Sequence, residues 1–131
     1  MVEQVRPFLM FEGRAEEAMN LYLSLFPDSE MLLLVRHGPN QAGKEGTVLK
    51  GVFRLGGQQV LCTDSTVHHA FTFTPSMSLF VDCESYDEIA RLAAGLGEGG
   101  QVLMELSDYG FSRQFTWLND RFGVSWQLNL P

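Results

Sequence analysis

Between Cys62 and Phe73 the chain reads CTDSTVHHAFTF, which places two adjacent histidines near an aspartate and a cysteine. Imidazole, carboxylate and thiolate are the usual ligands of zinc and related divalent ions, so Cys62, Asp64, His68 and His69 raise the question of a metal centre. The spacing argues against it. Neighbouring side chains in an extended segment point to opposite faces, so one ion does not readily take both histidines. The bland reading is that of rim histidines on a connecting loop, with His69 able to touch a ligand at a pocket mouth. Cys62 and Asp64 share a face if their strand runs that far and could line a pocket together, although Cys62 by itself reads first as a small buried hydrophobe. Cys83 lies between Asp82 and Glu84, which disfavour its thiolate, and it is not expected to be a nucleophile. His37 closes a strand before Gly38-Pro39 and reads as a surface residue.

The last strand supplies another candidate. In Val124-Ser125-Trp126-Gln127-Leu128-Asn129-Leu130, residues Val124, Trp126, Leu128 and Leu130 take one face and Ser125, Gln127 and Asn129 the other. The apolar face is expected to cover helices and the polar one to look toward a pocket or solvent. If the hairpin pairs Asn119 with Val124, Thr116 lies across from Gln127 and Trp117 across from Trp126. Gln127 is the leading pocket residue on this reading. The alternative is an amide bonded to neighbouring backbone, because a buried amide left without partners costs about 1–3 kcal/mol.

The elements that position these residues fall into a repeated order. Gly13 to Pro27 is the clearest helix, with Ala15, Ala18, Met19, Tyr22, Leu23 and Phe26 at helical spacing, Glu16 and Glu17 at its positive end and Pro27 as its stop. A strand-like run, Val5 to Phe11, precedes it. Three more follow, Met31 to Arg36, Thr47 to Leu55 and Gln58 to Thr63, the last two joined by the hairpin signal Gly56-Gly57. Then the order recurs: a strand at Met77 to Cys83, a helix opened by the Ser85/Glu88 capping box, and strands at Gln101 to Leu106, Arg113 to Asn119 and Val124 to Leu130. The prediction is one domain of α+β class made of two tandem βαβββ modules, module one about 1–64, a linker about 65–76, and module two about 77–131.

Composition narrows the function. A chain of 131 residues buries roughly two thirds of its unfolded surface unaided, so folding needs no structural metal or disulfide. Hydrophobic residues are 45% and charged residues 19%, and no apolar run approaches the ~18 residues that span a bilayer. The net charge of −7, from 9 Lys and Arg against 16 Asp and Glu without a basic cluster, argues against nucleic acid or an anionic membrane as partner. No secretory leader is evident, and two cysteines without CxxC spacing suit free thiols, so a cytoplasmic protein is expected.

A series of segments carries a family resemblance: Pro7-Phe8-Leu9-Met10-Phe11-Glu12-Gly13-Arg14-Ala15-Glu16-Glu17-Ala18 with Tyr22 and Phe26-Pro27, then Gly56-Gly57-Gln58, Asp64, Phe71-Thr72-Phe73, Ser78-Leu79-Phe80-Val81, Gly99-Gly100, and Asp120-Arg121-Phe122-Gly123-Val124-Ser125-Trp126-Gln127. Nearly the whole chain is similar to the PhnB-like branch of the vicinal oxygen chelate superfamily, also labelled 3-demethylubiquinone methyltransferase-like. The resemblance implies a glyoxalase/bleomycin resistance/dioxygenase fold, with each module forming half of a cupped mixed-sheet barrel and a pocket inside the cup. It also implies a homodimer. Metal-dependent relatives draw His and Glu ligands from the first and last strands of both modules, with an acidic ligand four residues after the turn glycine. Here that position is Gln127, and the other ligand positions fall on Ser76 and Ser78, on Arg6 and Phe8, and on Leu61 or Cys62. None of these is a histidine or carboxylate.

The expectation is therefore a protein without metal or other cofactor that binds a small organic ligand through Gln127, Thr116, Ser78, Cys62, Asp64 and His69, with no catalytic residue assigned. The rival is a divalent-metal lyase, isomerase or thiol-transfer enzyme using Gln127, Asp64 and His69. A regulatory protein acting through a dimer surface is a third reading. The methyltransferase label finds no support, since a doubly wound S-adenosylmethionine site needs a strand, a glycine-rich turn and a helix, and neither Gly56-Gly57 nor Gly97 to Gly100 has that order.

Overall fold

Each half of the chain forms a strand, a helix and three further strands. The computed structural model describes residues 1–131 and contains β1 (Phe8–Phe11), α1 (Ala15–Leu25), β2 (Ser29–Arg36), β3 (Val48–Leu55), β4 (Gln58–Asp64), β5 (Leu79–Asp82), α2 (Tyr86–Gly97), β6 (Gln101–Ser107), β7 (Gln114–Asn119) and β8 (Ser125–Leu130). The strands form two four-stranded sheets, ordered β1-β4-β3-β2 and β5-β8-β7-β6. In each sheet the first strand pairs parallel with the last, and the other pairs are antiparallel. The last strand of each module thereby takes a central place, and the two sheets do not close into one hydrogen-bonded barrel. Two compact units result, residues 1–69 and 70–131. No helix is long and apolar enough to cross a membrane.

In the first unit, Ala15, Ala18, Met19 and Tyr22 recur at helical spacing and are fully buried on one side of α1. They pack on β3 and β4, with the Tyr22 ring 5.9 Å from that of Phe53 and with Val60 and Cys62 in the same layer. Burying one such large apolar side chain contributes about 1.5–3 kcal/mol. The helix has no cap of its own: Arg14 occupies the N-cap position but its side chain, paired with Glu17, makes no capping bond. Asp64, at the end of β4, supplies it. Its Oδ1 accepts from the N–H of Gly13 (2.7 Å) and of Ala15 (3.0 Å), and its Oδ2 accepts from the N–H of Val48 on β3 (2.8 Å).

His37 departs from its expected surface position. It is 5% exposed, its Nε2 has no hydrogen-bond partner, and the backbone at Gly43 lies directly against the ring. The cause is the connection to β3. The N–H of His37 donates to Thr47 O and the N–H of Gly46 donates back to His37 O, which folds the intervening loop over the imidazole.

In the second unit, the Ser85 Oγ accepts from the N–H of Glu88 at 3.1 Å, and Glu88 Oε1 accepts from the N–H of Glu84 at 2.9 Å. This is the expected capping box with its return bond one residue upstream of the cap. Ile89, Leu92 and Leu96 of α2 are buried on β7 and β8, where Leu118, Trp126, Leu128 and Leu130 form the sheet side of the core.

The β7–β8 turn runs longer than the predicted one and shifts the register by a residue. Asp120 Oδ1 accepts from the N–H groups of Phe122 (2.9 Å) and Val124 (3.0 Å), its Oδ2 accepts from Trp126 Nε1 (2.9 Å), and its own N–H donates to Val124 O. Val124 is thus held in the turn, and the ladder begins at Asn119 opposite Ser125. Trp117 then faces Gln127, and Thr116 faces Leu128. The expected pairs Thr116 with Gln127 and Trp117 with Trp126 do not form.

Candidate functional site: an open sheet face in the second unit

Residues paired across a sheet share a face, so the registers of β5, β8 and β7 define the side of the second sheet opposite α2. Its central row is Phe80, Gln127 and Trp117. One row away stand Ser125 and Asn119, with Ser78 just before β5, and on the other side Asp82, Asn129 and Phe115. A hydrogen-bonded chain crosses this face. Gln127 Nε2 donates to Ser78 Oγ at a long 3.3 Å, Ser78 Oγ lies 2.7 Å from Ser125 Oγ, and Trp117 Nε1 donates to Ser125 Oγ at 3.0 Å. The hydrogen bond to Ser78 engages the Gln127 nitrogen and leaves Oε1 to accept from a donor, while Asn119 Oδ1 is buried without a partner.

Beside this polar chain stands a group of rings. Phe115 contacts Phe80 (6.5 Å between centroids), Phe111 (5.1 Å, edge-on) and Tyr109 (6.2 Å, edge-on). Phe80 and Phe111 nevertheless remain 56% and 64% exposed, which leaves ring area free for contact with another molecule. Among the residues of these three rows only Asp82 is charged, and it accepts from Asn129 Nδ2 at 3.1 Å.

Of the residues singled out in the sequence, the structure brings Gln127 and Ser78 together on this face. Thr116 falls on the opposite, helix-covered side; it is 2% exposed and its hydroxyl donates to Met104 O at 2.8 Å. Cys62 and Asp64 share a face of β4 as alternation requires, but it is the face packed beneath α1, where both are buried. Asp64 is occupied with three backbone donors, and a Cβ on Gly51 would lie 2.8 Å from both Cys62 Sγ and Met19 Sδ. His69 Nε2 lies 2.8 Å from Ser65 Oγ, and its backbone N–H donates to Glu12 Oε2. His68 is exposed, and its Nδ1 lies 2.7 Å from Glu12 Oε1, a contact that holds the Glu12 carboxyl below its usual range. The two histidines thus tie the end of the first unit to the segment between β1 and α1. Phe80, Trp117, Phe115 and Ser125 complete the face and were not among the sequence candidates. The parity of Ser78 with Phe80 and of Trp117 with Phe115 is the signal that identifies them.

The first unit repeats the register. Leu61 stands four residues after Gly57, as Gln127 stands four after Gly123, and it pairs with Phe8 where Gln127 pairs with Phe80. Arg6 Nη1 donates to Gln59 Oε1 at 3.1 Å in the place taken in the second unit by Ser78 and Ser125. No group of three or more His, Cys, Asp or Glu is placed to hold a metal ion. At the positions where the family resemblance implies metal ligands, this chain offers apolar side chains, a guanidinium paired with an amide, two hydroxyls and the Gln127 amide. These donors do not fit a divalent ion.

Both thiols are inert by environment. Burial, reinforced by Asp64, pushes Cys62 up to about 12, and burial, reinforced by Glu88 and Asp82, pushes Cys83 up to about 11. Both values lie above the ordinary 9.0, so above that pH the unfolded chain loses its thiol protons before the folded one does. This contribution to stability is complete below about pH 9 and is lost as pH rises toward 11–12. Neither thiol is expected to react with a disulfide reagent at pH 8 until the chain unfolds, and the urea midpoint should fall between pH 9 and 11 and fall less in the double Cys→Ala variant.

The two βαβββ sheets, each with its first strand parallel to its last, define a protein of the glyoxalase/bleomycin resistance fold. Residues 3–129 match the family model described as 3-demethylubiquinone-9 3-methyltransferase. The chain belongs to that PhnB-like family. It is 53% identical to a solved Bacillus cereus protein named for a 3-demethylubiquinone-9 3-methyltransferase and as a PhnB protein, with a TM-score of 0.95 over 98% of this chain and 100% of that one. Protein PA1353 from Pseudomonas aeruginosa is 25% identical, with a TM-score of 0.79 over 98% of each chain. The fosfomycin resistance protein FosX from Listeria monocytogenes, complexed with Mn(II) and sulfate, shares the fold at 9% identity and a TM-score of 0.66, over 100% of this chain and 93% of that one. No curated protein matches. Nothing in these likenesses or in the sheets shows methyltransferase activity, since each glycine turn before a last strand joins two antiparallel strands and not a strand to a helix.

Proposed function

We propose that this protein binds a small organic molecule on the open face of its second sheet without a metal ion. The observation that carries this reading is Gln127. It takes the position of the acidic ligand of metal-dependent relatives, yet it is a neutral amide bonded to Ser78 and set between Phe80 and Trp117. An amide between rings is a group that recognises a ligand by hydrogen bonding and stacking, not one that anchors a hard cation. The rival set of Gln127, Asp64 and His69 has little to offer a metal, because both Asp64 oxygens are taken by backbone N–H groups and His69 Nε2 is bonded to Ser65. The same reading takes the protein to be a cytoplasmic homodimer, on the strength of the family resemblance and its free thiols.

The test is metal content per chain after chelation and re-equilibration with Zn, Mn, Ni and Fe(II), on protein purified without an affinity tag. Less than about 0.1 ion retained per chain is expected for a site of this donor type. One tightly held ion per chain would overturn the reading and make metal-dependent lyase, isomerase and thiol-transfer reactions the ones to assay.

A further inference from the structure

We infer that the molecule recognised on this face is a flat, uncharged aromatic or heteroaromatic compound with a hydrogen-bonding edge, and not a compact anion; this rests on the reading that the face binds a small molecule. Three independent features of the face point to that class. The first is shape. Phe80 and Trp117 flank Gln127 across three adjacent strands, and Phe80 is braced by Phe115, itself packed edge-on to Phe111 and Tyr109. Rings fixed on strands present a rigid platform, so a planar ligand stacks without first ordering it.

The second feature is charge. Asp82 is the only charged residue in the three rows, and Arg113, just before β7, is turned to Pro131 O and the Tyr86 ring. A phosphate, phosphonate or carboxylate placed here would lose its hydration and gain no cation in return, on a chain that already carries a net charge of −7.

The third feature is the hydrogen-bonding inventory. Whichever way round the Gln127 amide sits, it presents one donor and one acceptor, and its single bond to Ser78 is long at 3.3 Å and readily exchanged. A lactam edge, with one N–H and one C=O, matches both groups of the Gln127 amide, whereas an anion, which only accepts, leaves the Gln127 oxygen without a donor.

The two tryptophans allow a direct test, because Trp117 lies on the open face and Trp126 is buried on the opposite one and bonded to Asp120. The full chain, labelled with nitrogen-15, is titrated with 2-quinolinone, with quinoline-2-carboxylate and with methylphosphonate, and the two indole N–H signals and the Gln127 side-chain amide are followed. Trp117→Phe assigns the signals. The expected result is a saturable shift of Trp117 and Gln127 with 2-quinolinone while Trp126 stays in place, the carboxylate analogue binding at least about tenfold more weakly and methylphosphonate giving no shift. Gln127→Leu is expected to weaken 2-quinolinone by about tenfold, and Phe80→Ala, at an exposed position that does not support the core, by about fivefold. If either anion binds this face as tightly as 2-quinolinone, the ligand class is overturned while the binding function stands. If none of the three probes moves Trp117 saturably, both the class and the binding function are overturned.

Discussion

Replacing Asp64 with alanine is expected to cost about 4 kcal/mol of folding stability, far more than loss of an ordinary surface carboxylate. The residue is 3% exposed and makes no ion pair; its two oxygens close three backbone groups, the N–H groups of Gly13, Ala15 and Val48. Two of these lie at the start of α1, whose own N-cap residue makes no side-chain capping bond, and the third opens β3. Alanine leaves Ala15 and Val48 as buried donors without acceptors, at about 1–3 kcal/mol each, and removes the charge that complements the α1 dipole at its N-terminus. Asparagine keeps the shape but has only one acceptor oxygen. Its NH₂ must then confront a backbone N–H, so Asp64→Asn should recover only a minor part of the loss. Urea unfolding at neutral pH measures both. The midpoint should fall for each variant with the slope unchanged, and an alanine variant within about 1 kcal/mol of the wild type would refute the capping role.

The same residue shows how far the sequence could be read. Alternation along β4 places Cys62 and Asp64 on one face, and the structure agrees, but periodicity alone does not say which face the helix covers. A carboxylate among apolar residues suggests a pocket; here it is buried because a helix end 49 and 51 positions away needs its oxygens, and that partnership has no local signal. In β8 the inference was easier, since Trp126, Leu128 and Leu130 form an unbroken apolar side that only a helix could cover. The element order was legible for the same reason: each strand and helix has strong periodicity and a glycine, proline or capping residue at its end. Register was not. The Asp120 side chain captures two turn N–H groups and holds Val124 out of the ladder, and that one-residue shift sends Thr116 to the core side and Trp117 to the open side. The candidate site was therefore half visible: Gln127 by parity and Ser78 through the family resemblance, but not the rings beside them, whose apolar character reads as core until the register is known.

Gly100→Ala is the substitution expected to propagate from that turn into the site, at a cost of about 3 kcal/mol or more. A Cβ on Gly100 would run into Asn119 O and would stand 2.9 and 3.0 Å from the carbonyl carbon and Cα of Asp120. These are backbone atoms at the point where β7 enters the turn, so no side chain can swing aside to make room. The Asp120 N–H is bonded to Val124 O, and its carboxylate holds Phe122, Val124 and Trp126; Gly100 is itself fixed by its N–H to Gly97 O. Relief requires β6 to part from the end of β7, and that end carries Asn119, two residues from Trp117. Two other glycines calibrate the effect. At Gly51 the obstructing atoms are the Met19 Sδ and Cε and the Cys62 Sγ, and because the methionine can change rotamer, alanine there should cost about 1–2 kcal/mol. At Gly57 nothing lies within 4 Å, and alanine should be neutral to about 0.5 kcal/mol. Thermal or urea unfolding should rank the three variants in that order. The Trp117 indole signal should shift in Gly100→Ala and stay in place in Gly57→Ala. A Gly100→Ala protein of wild-type stability with an unmoved Trp117 signal would mean that this close approach does not fix the edge of the open face.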